Sequence, residues 1–193
     1  MRSYKFQKWQ QWFYPKAIFD YHNQSELIKH KTIYLTFDDG PTPGVTNEIL
    51  EILDGFNAKS TFFCVGEKVK SHSQLFQEII KSGHAVGNYS MTHLNGFKTP
   101  TKKYVDDVLE GQKYINSKLF RAPYGKCTPK QHKELNKLGF KTVFWSHLTY
   151  DFDSNLSHEK KINTTKMKSK AGSIIVFHDT LRSFNKIYFK EII

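Results

Sequence analysis

Short apolar runs alternate along this chain with longer stretches whose apolar positions recur at helical spacing. Thr32–Phe37, Ser60–Val65, His84–Asn88, Leu119–Ala122, Lys141–Trp145 and Ser173–Phe177 are rich in β-branched and aromatic residues, so each reads as a strand. Between them, Ile49, Ile52, Leu53 and Phe56 share one helical face, as do Leu75, Phe76, Ile79 and Ile80. Gly83 is placed to end the second of these helices in a left-handed conformation. Tyr104, Val105, Val108, Leu109, Ile115 and Leu119 predict a longer helix opened by Thr101. Thr128-Pro129 followed by Gln131 is a capping-box start with proline at the first helical position. Gly139 closes that helix, Ser157 caps another, and residues 182–193 predict a closing helix.

Alternating strands and helices imply a largely parallel sheet with right-handed crossovers. At least six strands, each followed by a helix or long loop, favour an α/β fold of the barrel or distorted-barrel kind over an open sheet. Residues 31–193 show no internal repeat, linker or domain boundary and predict one domain. Residues 1–30 read as a basic, aromatic segment docked upon it.

The strand ends carry the chemistry. Asp38 and Asp39 follow the first strand, Tyr89 and His93 the third, Arg121 and Tyr124 the fourth. Asp151 lies past the strand ending at Trp145, and His178-Asp179 ends the last. The carboxyl ends of the strands are where β/α barrels collect catalytic groups. Two adjacent carboxylates repel unless a cation, a proton or an arginine holds them. As a bare dipeptide, Asp38-Asp39 before Gly40-Pro41 reads equally well as turn residues. With an imidazole it can hold Zn²⁺ or Co²⁺. A metal so held activates water and polarises a carbonyl, the second carboxylate serves as base, and a histidine opposite protonates a departing amine. Asp39, His93, Asp38, Arg121 and His178 therefore suit hydrolysis of an amide.

Composition narrows the setting. The 193 residues include 16 Phe, 10 Tyr and 3 Trp, as a globular core requires, and the net charge is +11. There is neither an Arg-rich repeat nor an aromatic nucleic-acid signature, so nucleic acid is not an expected partner; anionic envelope polymers or lipids suit the charge better. No apolar run reaches membrane-spanning length. The first residues, with Arg2, Lys5, Lys8 and Lys16 among Trp9, Trp12, Phe13 and Phe19, lack a signal peptide's apolar core and allow weak membrane-surface contact. Cytoplasmic and cell-envelope placements both stay open. Cys64 reads as a reduced core residue, and the lysines between His158 and Lys170 as a solvated helix face.

Five segments also carry a resemblance. Thr36-Phe37-Asp38-Asp39-Gly40-Pro41, Gly87-Asn88-Tyr89-Ser90-Met91-Thr92-His93, Arg121-Ala122-Pro123-Tyr124-Gly125, Trp145 with Asp151-Phe152, and Val176-Phe177-His178-Asp179 resemble, in order and spacing, the motifs of the polysaccharide deacetylase family. This is the NodB-homology domain of carbohydrate esterase family 4. The resemblance implies a distorted (β/α) barrel that removes acetyl groups from peptidoglycan- or chitin-like glycans with a divalent metal, usually zinc. It makes Asp38 the base, Asp39 and His93 metal ligands, and Arg121 the residue that orients the base. The backbone N–H of Tyr124 becomes an oxyanion donor, His178 the general acid and Asp151 its partner. Phe152, Pro123 and Trp145 line the substrate site.

One departure stands out. The family usually has histidine where this chain has Tyr89, and tyrosine is not among zinc's usual ligands. The metal then keeps two protein donors where catalytic zinc normally has three. A weaker site could load metal with extra water, another residue such as His147 could substitute, or the chain is a catalytically impaired glycan-binding scaffold. A small amide is a further alternative substrate.

Overall fold

The computed structural model of the chain describes residues 11–23 and 31–192. Among them, seven strands form one parallel sheet: β1 (Tyr34–Asp38), β2 (Ser60–Cys64), β3 (Ala85–Asn88), β4 (Leu119–Phe120), β5 (Lys141–Thr142), β6 (His147–Leu148) and β7 (Ile174–His178). Their spatial order is β5-β4-β3-β2-β1-β7-β6, and the sheet curls into a half-barrel. The helices are α1 (Val45–Gly55), α2 (Gly66–Ser71), α3 (Ser73–Lys81), α4 (Thr101–Gln112), α5 (Pro129–Lys137), α6 (His158–Lys168) and α7 (Lys186–Ile192).

Strand alternation decides which side chains meet. In β1, Leu35 and Phe37 enter an apolar cluster with Ile49 of α1, Phe76 of α3 and Phe189 of α7. Phe37 stacks on Phe62 at 5.0 Å and on Phe177 at 5.6 Å, joining the three central strands. Thr36 and Asp38 alternate with these residues and reach Arg121 instead. The register pairs Asp38 with Phe63 of β2 and with His178 of β7, so the chemically able ends of β1 and β7 stop level with each other.

Residues 14–22 run along the barrel between β5 and the turn before β7. Ile18 bridges Val143 in parallel; its N–H donates to Thr142 at 2.9 Å and its carbonyl accepts from Phe144 at 2.7 Å. The Tyr21 N–H donates to the Gly172 carbonyl at 2.8 Å, and Tyr14 and Phe19 are buried. Trp12 is 91% exposed, so it contributes little to this docking. Arg2, Lys5, Lys8, Trp9 and His30 lie outside the described residues. No described helix is long and apolar enough to cross a membrane.

Several expected elements shift. The helix opened at Thr101 ends at Gln112 rather than running through Leu119. Gly111 brings its last turn against the β3 loop, and the chain then bends so that Ile115 is buried separately. The strand expected over Lys141–Trp145 pairs with β4 only at its first two residues, and along its other edge Thr142 and Phe144 hydrogen-bond to Ile18. The closing helix starts at Lys186, after hydrogen-bonded turns at Thr180–Phe184. Strand β6 and helix α2 are additions. The Thr128–Gln131 capping box, the Ser157 cap and left-handed Gly83 and Gly139 are all present. Both cysteines are buried and free.

Replacing Phe37 by Ala is expected to cost about 3–5 kcal/mol, read as a lowered urea midpoint with little change in slope.

Candidate active site

Arg121 is fully buried at the end of β4, a position a charge tolerates only when paired and hydrogen-bonded. Its Nη1 donates to the Asp38 carboxylate at 2.7 Å and to the Thr36 hydroxyl at 2.8 Å. Nε donates to the Val143 carbonyl and Nη2 to that of Phe144, each at 3.1 Å. Beneath it lies the Phe63 ring, 4.1 Å from the guanidinium carbon. One side chain thus ties β1 to the backbone just past β5 and aims Asp38. Burial pushes the Asp38 carboxyl above the ordinary carboxylate range, against the pull of Arg121 and His178. A carboxylate so placed is a stronger base than a solvated one.

Asp39 has a left-handed backbone (φ 80°). Its Oδ1 lies 3.1 Å from His93 Nε2, yet that nitrogen is buried without a hydrogen-bonding partner. Burial opposes the Asp39 charge, but His93, His178 and Lys68 outweigh it and hold the carboxyl below its usual range. On the far side of the ring, His93 Nδ1 meets the Tyr124 hydroxyl at 3.1 Å. Tyr89 is buried beside His93, with ring centroids 5.0 Å apart. Burial, followed by the charges of Asp38 and Asp39, pushes its phenol well above its ordinary range, so it stays neutral.

Across from these groups, His178 Nδ1 meets Asp151 Oδ1 at 2.7 Å, and the His178 backbone N–H donates to Asp151 Oδ2 at 2.6 Å. Burial alone would lower the imidazole pKa; Asp151 and the facing Asp38 and Asp39 outweigh it and set it at about 9. Phe152 presents its ring edge-on to His178 at 5.1 Å. Trp145 is buried, 5.8 Å from the Arg121 guanidinium, and Gly125 (φ 66°) gives it room, since a Cβ there would lie 2.6 Å from the indole. Pro123 is buried at the start of a short 3₁₀ turn, Pro123–Gly125, where Tyr124 adopts φ 60°. Tyr124 itself is exposed.

Two residues depart from their sequence reading. His147 supplies no ligand: it is buried in β6, its Nε2 pairs with the Thr165 hydroxyl of α6 at 3.0 Å, and burial lowers its pKa to about 4. Lys161 is buried rather than on a solvated face, and its ammonium donates to the Asp151 carbonyl at 3.1 Å. Only its mismatch with a solvent-facing helical pattern could have flagged it.

The sequence profile described as "Polysaccharide deacetylase" matches residues 27–143. The chain belongs to the polysaccharide deacetylase family. It is 34% identical over 155 residues to a peptidoglycan-N-acetylglucosamine deacetylase of Bacillus cereus, spanning 77% of this chain and 73% of that one. It is 33% identical over 155 residues to a chitooligosaccharide deacetylase of Azorhizobium caulinodans, with the same two shares. The crystal structure of a peptidoglycan N-acetylglucosamine deacetylase bound to a hydroxamate-type benzamide superposes with a TM-score of 0.81 at 27% identity, covering 91% of this chain and 82% of that one.

Within this polysaccharide deacetylase fold, the donor chemistry around His93 fits a divalent cation, though thinly. A buried imidazole nitrogen without a hydrogen bond faces a carboxylate that is held ionised. No third His, Cys, Asp or Glu joins them to make a group of three among the described residues. Tyr89, beside His93, is a neutral phenol.

Replacing Arg121 by Met strands a buried carboxylate and is expected to cost about 3–5 kcal/mol, measured by denaturant unfolding. Adding Asp38→Leu to that variant should recover much of the loss, because the orphaned charge goes with it.

Proposed function

We propose that this family member hydrolyses N-acetyl groups of an amino-sugar glycan, peptidoglycan-like or chitin-like, to free amine and acetate. In this reading Asp39 and His93 hold a divalent cation, zinc by their oxygen and nitrogen chemistry, with cobalt able to replace it. The observation that carries the proposal is one cluster: Asp38 held by Arg121, beside Asp39 and His93, and level with the His178–Asp151 pair.

The divisions of labour follow from the environments. A bound cation supplies a lowered pKa for water and polarisation of the acetyl carbonyl. Asp38 takes the proton of the attacking water, its orientation fixed by Arg121. The backbone N–H of Tyr124, with its left-handed turn, donates to the oxygen that gains charge as the acetyl carbon becomes tetrahedral. His178, protonated at neutral pH, hands its proton to the sugar nitrogen as the carbon–nitrogen bond breaks. Phe152 walls the acetyl methyl beside His178, and Trp145 and Pro123 stiffen the opposite rim.

A second reading, a glycan-binding scaffold with impaired catalysis, is favoured by one observation: the two-donor site beside a neutral Tyr89. The two separate on acetate release from N-acetylated chitooligomers and peptidoglycan in the presence of Zn²⁺ or Co²⁺. Wild type should release acetate, and Asp38→Asn should abolish release in a protein that still folds but melts lower, since buried Arg121 loses its counter-charge; no release from wild type favours the scaffold.

The proton on His178 sets the alkaline limit. Because its pKa is raised to about 9, the acid form persists through neutrality and kcat should fall as pH rises through about 9. Asp151→Asn removes the main group raising it, so the alkaline limb should move to lower pH; an unmoved limb would assign the acid elsewhere. Tyr89→His supplies a second imidazole and so a third protein donor, and titration calorimetry should find tighter Zn²⁺ binding by about tenfold or more.

A further inference from the structure

The loop carrying His93 is bent twice against its residues' preferences. Ser90 (φ 63°) and His93 (φ 59°) both take the left-handed conformation, and neither is glycine. Such a conformation is sterically unfavourable for a residue with a Cβ and persists only where its surroundings over-determine it. Part of that restraint is local: the Asn88 side chain accepts from the Ser90 N–H at 2.7 Å, and the Ser90 hydroxyl accepts from the Leu94 N–H at 3.3 Å.

The larger part comes from helix α4. Asp107 Oδ2 accepts the Met91 N–H at 3.0 Å and the Thr92 N–H at 3.1 Å, and Oδ1 accepts the Thr92 hydroxyl at 2.8 Å. Its backbone carbonyl also receives the Met91 N–H, at 3.1 Å. Both carboxylate oxygens are thus spent on the two residues directly before His93. Such ionic acceptors of backbone N–H groups make the stronger kind of hydrogen bond. One turn further on, Gly111 lets the helix backbone come close enough: a Cβ there would sit 3.0 Å from the Ser90 carbonyl carbon. The neighbouring Asp106 does none of this; it pairs at the surface with Lys102 at 2.7 Å.

We propose that Asp107 is a positioning residue for His93: it clamps the 90–93 loop so that Nε2 faces Asp39 before any ligand arrives. The proposal rests on the reading of Asp39 and His93 as the cation site. With two protein donors in place of three, the free energy of binding depends heavily on their pre-set geometry. No motif includes Asp107, and nothing else in α4 reaches the loop with a charged side chain in the contacts described.

The test compares wild type with Asp107→Ala, Asp107→Asn and, as control, Asp106→Ala. Three readouts are taken: Zn²⁺ affinity by calorimetry, melting temperature without metal, and ¹⁵N resonances of the His93 ring in metal-free protein. Asp107→Ala is expected to weaken Zn²⁺ binding by about tenfold or more, and to turn a single His93 ring state into averaged signals. Asp107→Asn, which keeps one acceptor oxygen, should fall between, and Asp106→Ala should match wild type. Should Asp107→Ala fail to fold, Asp107→Asn carries the comparison. Unchanged zinc affinity and an unchanged His93 ring in a folded Asp107 variant would overturn the clamp. If wild type itself binds no Zn²⁺, the hydrolase reading is what fails, and the His93 resonances still decide the clamp.

Discussion

The fully buried pair of Arg121 and Asp38 is the constraint on which the rest of this molecule turns. A guanidinium with no solvent must satisfy its donors within the protein, and it does so on β1 and on the backbone just past β5. Those contacts fix how the half-barrel closes on its interior and where Asp38 points. A pair of this kind adds little net stability over apolar residues of equal volume. Its value lies in geometry: a carboxylate held in one orientation, next to a second acid that lies against His93 instead.

Electrostatics then sort the carboxylates and imidazoles into different tasks. Asp38 and Asp39 are neighbours in sequence, yet burial dominates the first and cationic surroundings the second, so their proton affinities move apart. His178 and His147 show the same division among histidines. One is raised to about 9 by a carboxylate partner, and the other is lowered to about 4 in a helix-facing core position. Environments that push like groups in opposite directions mark acid and base roles. Tyr89 fits the same logic, since burial and the charges of Asp38 and Asp39 keep it neutral rather than adding a third charge.

The sheet was legible because its central strands are apolar runs that end on polar residues, as in Tyr34–Asp38 and Ile174–His178. The acids and histidines of the site were legible for the same reason: strand ends deliver them to one rim. Elements set by tertiary contact were not. His147–Leu148 is a two-residue strand within a mixed stretch, and α2 offers Val69 as its one buried apolar side chain, so neither has a period to detect. The apolar spacing of α4 continues to Leu119, but the helix stops where Gly111 meets the β3 loop, a contact remote in sequence. Asp107 and Lys161 were hidden because a charged residue on a helix reads as solvent-facing until its partner is known.

The account turns on the cation proposed at Asp39 and His93, and X-ray absorption of the zinc-loaded protein measures its surroundings directly. It predicts stoichiometric zinc with a single imidazole at about 2.0–2.1 Å, the remaining ligands being oxygen. Two imidazoles in the shell, or no zinc retained at protein stoichiometry, would contradict it.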